Sequence, residues 1–114
     1  MKTELEGRTL AFALRVIRYV DGFQKRQASW VIGNQLLKAA TSIGANYREA
    51  ARAESKADFV HKVGIAEKEA AETEYWLQLC EQAEIGAGEN AALLDETRQL
   101  IAILTAIGRN AKRR

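Results

Sequence analysis

The chain has 114 residues, of which 47% are apolar and 28% charged, with one cysteine, no proline and a formal net charge of +2. This length and composition exclude intrinsic disorder and indicate a single domain, residues 1–114, that can bury a core without metal or disulfide. Cys80 has no internal disulfide partner and Arg15 and Arg18 interrupt the apolar N-terminal segment, so we expect a cytoplasmic protein with no membrane span.

The charges are distributed unevenly along the chain. Residues 1–66 carry 11 basic and 6 acidic side chains, residues 67–96 carry Lys68 against 9 acidic side chains, and residues 97–114 carry 5 basic side chains and no acidic one. Such segregation indicates either charge-matched packing between helices or a basic surface for an anionic partner.

The first helix is predicted over about residues 9–21, ending at Gly22. Apolar side chains cover most of its circumference, and its polar face is a narrow basic strip: Arg8, Arg15, Arg18, Lys25 and Arg26. A helix that is apolar on nearly all sides must be covered on more than one of them, so we expect a second subunit to pack against it.

The second helix is predicted over about residues 29–53, with small residues along one flank that favour close helix approach: Gly33, Ala40, Gly44 and Ala51. Its apolar seam follows a four-three spacing: Leu36, Ala40, Ile43, Tyr47 and Ala50.

The third helix is predicted over about residues 55–84, with Ser55 and Asp58 in a capping-box pattern, and the fourth over about 90–111. Both have seams with the same spacing: Phe59, Val63, Ala66, Ala70, Thr73, Leu77 and Cys80, then Leu93, Thr97, Leu100, Leu104 and Ile107. A 3.5-residue repeat favours shallow left-handed crossing, and short connections favour antiparallel neighbours. The predicted fold is therefore an all-α, up-down-up-down, left-handed four-helix bundle.

A polar stripe accompanies the second seam, formed by Gln35, Ser42, Asn46 and Glu49, with Glu72 on a similar flank of the third helix. One interpretation is an interhelical hydrogen-bond network in which Glu49 or Glu72 accepts from Ser42, Asn46 or Tyr47. The other is a ligand or partner pocket. We favour the network, because no nucleophile–base pair or phosphate-binding loop accompanies the stripe.

Catalytic, metal and cofactor sites are not predicted. Asp58 and His61 have the spacing of a carboxylate–histidine motif, but a di-iron bundle needs such a motif on two helices and this chain has one histidine. We expect His61 on the surface and Cys80 buried as a small apolar side chain. We therefore expect a protein that is not an enzyme and binds no cofactor.

An acidic ladder, defined as Glu67, Glu74 and Glu81, repeats every seven residues on the third helix. It is either a solvated edge or an interhelical pairing device, for which the basic strip of the first helix is one complement. Pairing of that strip within the bundle competes with nucleic-acid binding as its role.

The segment from residue 34 to residue 79 resembles the four-helix-bundle proteins named after the 23S ribosomal RNA intervening sequences, and the resemblance extends over roughly residues 8–110. The matching positions are Gln35, Ala39, Ala40, Ser42, Ile43, Ala45, Asn46, Glu49, Ser55, Asp58, Phe59, Glu72 and Thr73, and, in the fourth helix, Leu93, Glu96, Leu100, Ile103 and Leu104. The common Asn-Ile-Ala-Glu-Gly sequence becomes Asn-Tyr-Arg-Glu-Ala at residues 46–50, a departure from the commoner form.

The resemblance implies an up-down-up-down bundle that assembles as a homopentamer. It also implies kinship with the accessory variability determinant proteins of diversity-generating retroelements, pentameric basic barrels that bind nucleic acid and a reverse transcriptase. The leading hypothesis is an oligomeric binding or scaffold protein for RNA or DNA, contacted through its phosphates. The candidate residues are Arg8, Arg15, Arg18, Lys25, Arg26, Lys38, Arg48, Arg52, Arg109, Lys112, Arg113 and Arg114. The alternative is a protein–protein adaptor whose charges serve only oligomer assembly.

Overall fold

A computed structural model describes the backbone of residues 2–114 and the side chains of residues 4–114. This part of the chain forms four α-helices and no strand: α1 (Lys2–Asp21), α2 (Gln27–Ala51), α3 (Lys56–Gln82) and α4 (Asn90–Lys112). The predicted bounds of α2, α3 and α4 agree with these to within two residues.

The start of α1 was predicted seven residues too late. Leu5 lies four residues before Thr9 and extends a stripe of buried side chains that continues through Phe12, Val16 and Tyr19 with four-three spacing. Glu4 lies in the first turn, where a negative charge interacts favourably with the helix dipole. The hydrophobic period therefore extends one turn further towards the N-terminus than the predicted helix.

The predicted N-terminal cap of α3 is confirmed. Ser55 has an extended backbone, and its hydroxyl accepts a hydrogen bond of 3.0 Å from the backbone N–H of Asp58. This bond satisfies one of the four N–H groups that the first helical turn leaves without a partner.

Successive helices run antiparallel. Gly44 near the end of α2 lies against Thr9 of α1, and Gly33 near its start lies against Val20. Lys62 of α3 pairs with Glu49 of α2, and Arg98 of α4 pairs with Glu74 of α3. The up-down-up-down order is thus observed, in a molecule measuring 47 × 20 × 19 Å.

The core consists of the predicted seams. The third-helix seam from Val63 to Cys80 and the fourth-helix seam from Leu93 to Leu104 are buried, as is the whole second-helix seam; Phe59 and Ile107, at one end of the bundle, are half-buried. Cys80 is buried and His61 is exposed, as predicted. No helix in the described residues is long and apolar enough to cross a membrane.

The glycine flank of α2 brings α1 and α2 into close contact. A Cβ atom added at Gly44 would lie 2.9 Å from the Thr9 hydroxyl oxygen and 3.1 Å from the Thr9 Cβ. Thr9 is buried, and its hydroxyl donates to the Leu5 carbonyl at 2.9 Å, so this side chain has little freedom to turn away. The structural reason for glycine at position 44 is therefore the proximity of α1.

Gly44→Ala should lower the free energy of unfolding, because overpacking a close contact costs about 1–3 kcal/mol and exceeds the gain in helix propensity of up to about 1 kcal/mol. Gly64→Ala is the matched control. Position 64 lies within α3 with no atom within 4 Å of an added Cβ, so only the propensity gain applies and this variant should be more stable. Urea unfolding followed by circular dichroism measures both changes, and equal stabilisation by the two substitutions would contradict the close α1–α2 contact.

A compact junction joins the α3–α4 connection to the end of α1. The Tyr19 hydroxyl donates to the Ile85 carbonyl at 3.0 Å and accepts from the Asn90 amide at 2.9 Å. The Gln24 side chain donates to the Glu84 carbonyl and accepts from the Gly86 N–H, both at 2.9 Å. These bonds hold the connection against the opposite end of the bundle from the Ser55 cap.

Candidate nucleic-acid interface

The antiparallel fold collects cations from distant parts of the sequence at one end of the bundle. The ends of α2 and α4 and the start of α3 meet there, and the Lys56 ammonium donates to the Lys112 carbonyl at 3.5 Å. We call this region the basic end and define it by seven exposed residues: Arg48, Arg52, Lys56, Arg109, Lys112, Arg113 and Arg114. Six of them are predicted nucleic-acid candidates, and Lys56 is a residue that sequence reasoning missed.

Carboxylates at the basic end neutralise only part of this charge. Glu6 lies 3.9 Å from the Arg48 guanidinium, which is a long and exposed contact. Glu49 pairs at 2.6 Å with Lys62, a cation outside the defined set. No ion pair within 4.0 Å is formed by Arg109, Lys112 or Arg113 among the described side chains, so the end of α4 has a positive field.

Arg8 is the member of the basic strip that lies near this end of the bundle, and its charge is already paired. The Arg8 guanidinium donates two hydrogen bonds to Glu96 of α4, at 2.7 and 2.8 Å, and a third to Gln99. The hydrogen bond to Glu96 raises the pKa of Arg8 above its ordinary value, in spite of partial burial. A guanidinium engaged in a bidentate pair is not available for phosphate.

The other cations of the strip lie towards the opposite end of the bundle. Arg15 lies 4.0 Å from Glu89, and Arg26 donates to the Ala83 carbonyl. Arg18 and Lys25 are exposed near the same connection. Lys38 is exposed midway along α2. The twelve candidate cations therefore form two separate groups and a few isolated positions rather than one surface.

The acidic ladder pairs with α4 rather than with α1. Glu74 accepts from Arg98 at 2.8 Å, and Glu67 accepts from the Thr105 hydroxyl at 2.8 Å. Glu81 is exposed. Within one subunit the basic strip is not the complement of this ladder, since Arg8 and Arg15 contact Glu96 and Glu89 instead; pairing of the strip with the ladder across an oligomer stays a prediction.

The polar stripe of α2 does not form the predicted interhelical network. Ser42 donates to the Lys38 carbonyl at 2.7 Å and Asn46 donates to the Ser42 carbonyl at 2.9 Å, both within the same helix. Glu49 makes the one contact between helices, to Lys62. Gln35 and Glu72 are exposed. A polar side chain in a helix can bond a carbonyl one turn back, and sequence spacing alone did not exclude this local partner.

A cavity of about 750 Å³ opens beside the basic end, between the start of α1 and the end of α4. We call it the end cavity. Its walls are mainly apolar, and its lining residues include Leu5, Tyr47, Ala51, Phe59, Ile103, Ile107 and Ala111. Sequence reasoning assigned Tyr47, Phe59 and Ile107 to the seams; the missed signal is the pair of small residues, Ala51 and Ala111, at the last turns of α2 and α4.

The end cavity also has polar groups. Tyr47 is only 5% exposed, and burial, followed by the charge of Glu6, raises the pKa of its hydroxyl. Glu4, Arg8, Asn110 and Arg114 also line the cavity, and Arg8 is the guanidinium that pairs with Glu96. An apolar pocket with a few polar groups is typical of a site that binds a small planar or apolar group.

Other reactive side chains do not cluster. Burial raises the pKa of the Cys80 thiol to about 11, so at neutral pH it is protonated and unreactive. In the side chains that the structure describes, no three His, Cys, Asp or Glu residues lie close enough together to hold a metal ion.

The sequence profile of the 23S rRNA-intervening sequence proteins matches residues 2–106. This chain belongs to the 23S rRNA-intervening sequence protein family. Its fold is similar to the crystal structure of a Bacteroides thetaiotaomicron protein of unknown function from the S23 ribosomal protein family, with a TM-score of 0.86 and 37% identity over 96% of this chain and 99% of that one. No curated protein matches the chain. The family assignment thus confirms the resemblance, and it accounts for the four-helix architecture of this 23S rRNA-intervening sequence family member.

Proposed function

We propose that this protein is a cytoplasmic, non-enzymatic, homo-oligomeric binding protein that holds RNA or DNA by the phosphate backbone at the basic end. The observation that carries the proposal is the end of α4, where Arg109, Lys112 and Arg113 are exposed and have no ion pair within 4.0 Å among the described side chains. Phosphate neutralisation sums over contacts, so several such cations on one surface favour a polyanion.

The binding mode is directed to phosphates rather than to bases in a groove. The cations of the basic end lie at helix ends around the tip of the bundle. Phosphate contacts position a nucleic acid but do not read its sequence. We therefore expect weak sequence preference and strong dependence on salt.

The outer face of α1 supports assembly. Leu10, Leu14 and Ile17 lie on one side of the helix and are 52%, 42% and 37% exposed. Such an apolar stripe on a monomer is typical of a subunit interface. The family resemblance favours a homopentamer, and the 3.5-residue seams favour left-handed helix crossing. A ring would repeat the basic end around its axis.

Titration of labelled RNA and DNA at several salt concentrations tests the proposal. The double variant Arg109→Glu/Lys112→Glu should weaken binding and reduce the salt slope by about one for each lost phosphate contact. The matched control is Arg18→Glu/Lys25→Glu, which makes the same charge change at the opposite end of the bundle and should retain binding. Light scattering must show that both variants keep the wild-type mass.

A protein–protein adaptor is the second candidate, favoured by an exposed apolar patch on α2. Trp30 and Val31 are 69% and 57% exposed, at the end of the bundle opposite the basic end. Absence of RNA and DNA binding by the wild type even at low salt would overturn the nucleic-acid proposal and favour the adaptor.

A further inference from the structure

The end cavity adjoins the basic end, and its lining differs from that of a phosphate-binding site. Its walls are apolar, and its volume of about 750 Å³ lies within the range of small-ligand pockets and exceeds the size of one nucleobase. Phosphates would remain outside such a cavity, because an ionised group loses its hydration on entering apolar surroundings.

Two aromatic side chains line the cavity. Phe59 is half-buried, and Tyr47 is 5% exposed. Aromatic rings accept the face of any base by stacking.

The mouth of the cavity has polar groups that suit the edge of a base and its attached phosphate. Glu4 can accept from an N–H group on the edge of a base, and the Asn110 amide can both donate and accept. Arg114 lines the mouth, and Lys112 and Arg113 precede it on the same helix end. Aromatic and apolar groups inside, with cations outside, match the arrangement of a nucleotide whose base is turned inward.

We propose that the end cavity receives one unpaired base of a single-stranded nucleic acid whose phosphates lie on the basic end. The inference rests on the proposed function, since it assigns a second contact to the same ligand. It also makes the ligand single-stranded, because a base paired in a duplex is not free to enter a cavity.

Comparison of an oligothymidylate with an abasic oligonucleotide of equal length isolates the base contact, because the two have the same phosphates. Wild-type protein should bind the oligothymidylate about tenfold more tightly, as one base–aromatic contact allows. Ala111→Trp places a large side chain at the half-buried lining position 111 and should remove this difference. Ala102→Trp, at an exposed position of the same helix, is the matched control and should retain it. Phe59→Ala should also reduce the preference, and circular dichroism must show that each variant is folded.

Equal binding of the two oligonucleotides with a steep salt slope overturns this inference and leaves the proposed function in place. Failure of both oligonucleotides to bind at low salt overturns this inference, and it overturns the proposed function as well if labelled RNA also fails to bind. A change in oligomeric mass on Ala111→Trp, but not on Ala102→Trp, would show that the cavity is filled by another subunit, and this too overturns the inference.

Discussion

Replacing Phe12 by alanine should lower the free energy of unfolding by about 3–5 kcal/mol, the cost typical of truncating a buried aromatic side chain. Phe12 is 1% exposed and belongs to the buried face of α1, between Thr9 and Val16. The loss is a large share of the roughly 5–15 kcal/mol that stabilises a domain. Urea unfolding monitored by circular dichroism, with the midpoint and slope compared with wild type, measures this change.

Leu14→Ala is the control on the same helix, since Leu14 is 42% exposed and lies on the outer face of α1. Its effect on the unfolding of the monomer should stay within about 0.5 kcal/mol. Similar losses from Phe12→Ala and Leu14→Ala under conditions where both variants are monomeric would contradict the division of α1 into a buried and an outer face.

The outer face can be examined separately with Leu14→Glu. If this face joins subunits, a charge at position 14 should convert the oligomer to a monomer while the helical signal in circular dichroism is kept. If the wild-type protein is monomeric at micromolar concentration, the oligomeric part of the proposed function is wrong.

The second large effect is expected at Gly86, in the connection between α3 and α4. Gly86 has φ of +81°, and a Cβ atom added there would lie 2.7 Å from the ring and hydroxyl of Tyr19. The backbone strain alone costs about 1–2 kcal/mol in a residue with a side chain, and displacement of a packed neighbour costs about 1–3 kcal/mol more. Gly86→Ala should therefore destabilise the fold by about 3 kcal/mol in thermal or urea unfolding.

Gly88→Ala separates the two causes. Gly88 has φ of +83° but no atom within 4 Å of an added Cβ, so only the backbone strain applies there. A loss at Gly86 that is no greater than the loss at Gly88 would show that contact with Tyr19 does not restrict position 86.

The helices and their buried faces could be predicted because they depend on local spacing. Val63, Ala66 and Ala70 recur every three or four residues, and a helix with this period must place them on one side, where burial removes apolar surface from water. The early start of α1 was missed although its signal was present, since Leu5 continues the same period.

The partners of polar side chains were predicted less well. Ser42 and Asn46 could bond either a neighbouring helix or a carbonyl of their own helix, and the structure has the second arrangement. For Arg8, the choice between the acidic ladder and Glu96 depends on which helices are adjacent and on how far they are shifted along their axes relative to each other. When a long side chain has several partners in reach, the partner that it contacts depends on a few ångströms of helix placement. Residue spacing in the sequence does not contain that information.

The sequence by itself determined four amphipathic helices, their antiparallel order and membership of the 23S rRNA-intervening sequence protein family, because period and connection length are local properties. Only the tertiary structure decided which charges are neighbours. It separates Arg18 and Lys25 from the cations of α4, and it brings Lys56 next to Lys112. The physical reason is that antiparallel packing places the end of one helix beside the start of the next, so residues far apart in the chain share one end of the bundle and one cavity.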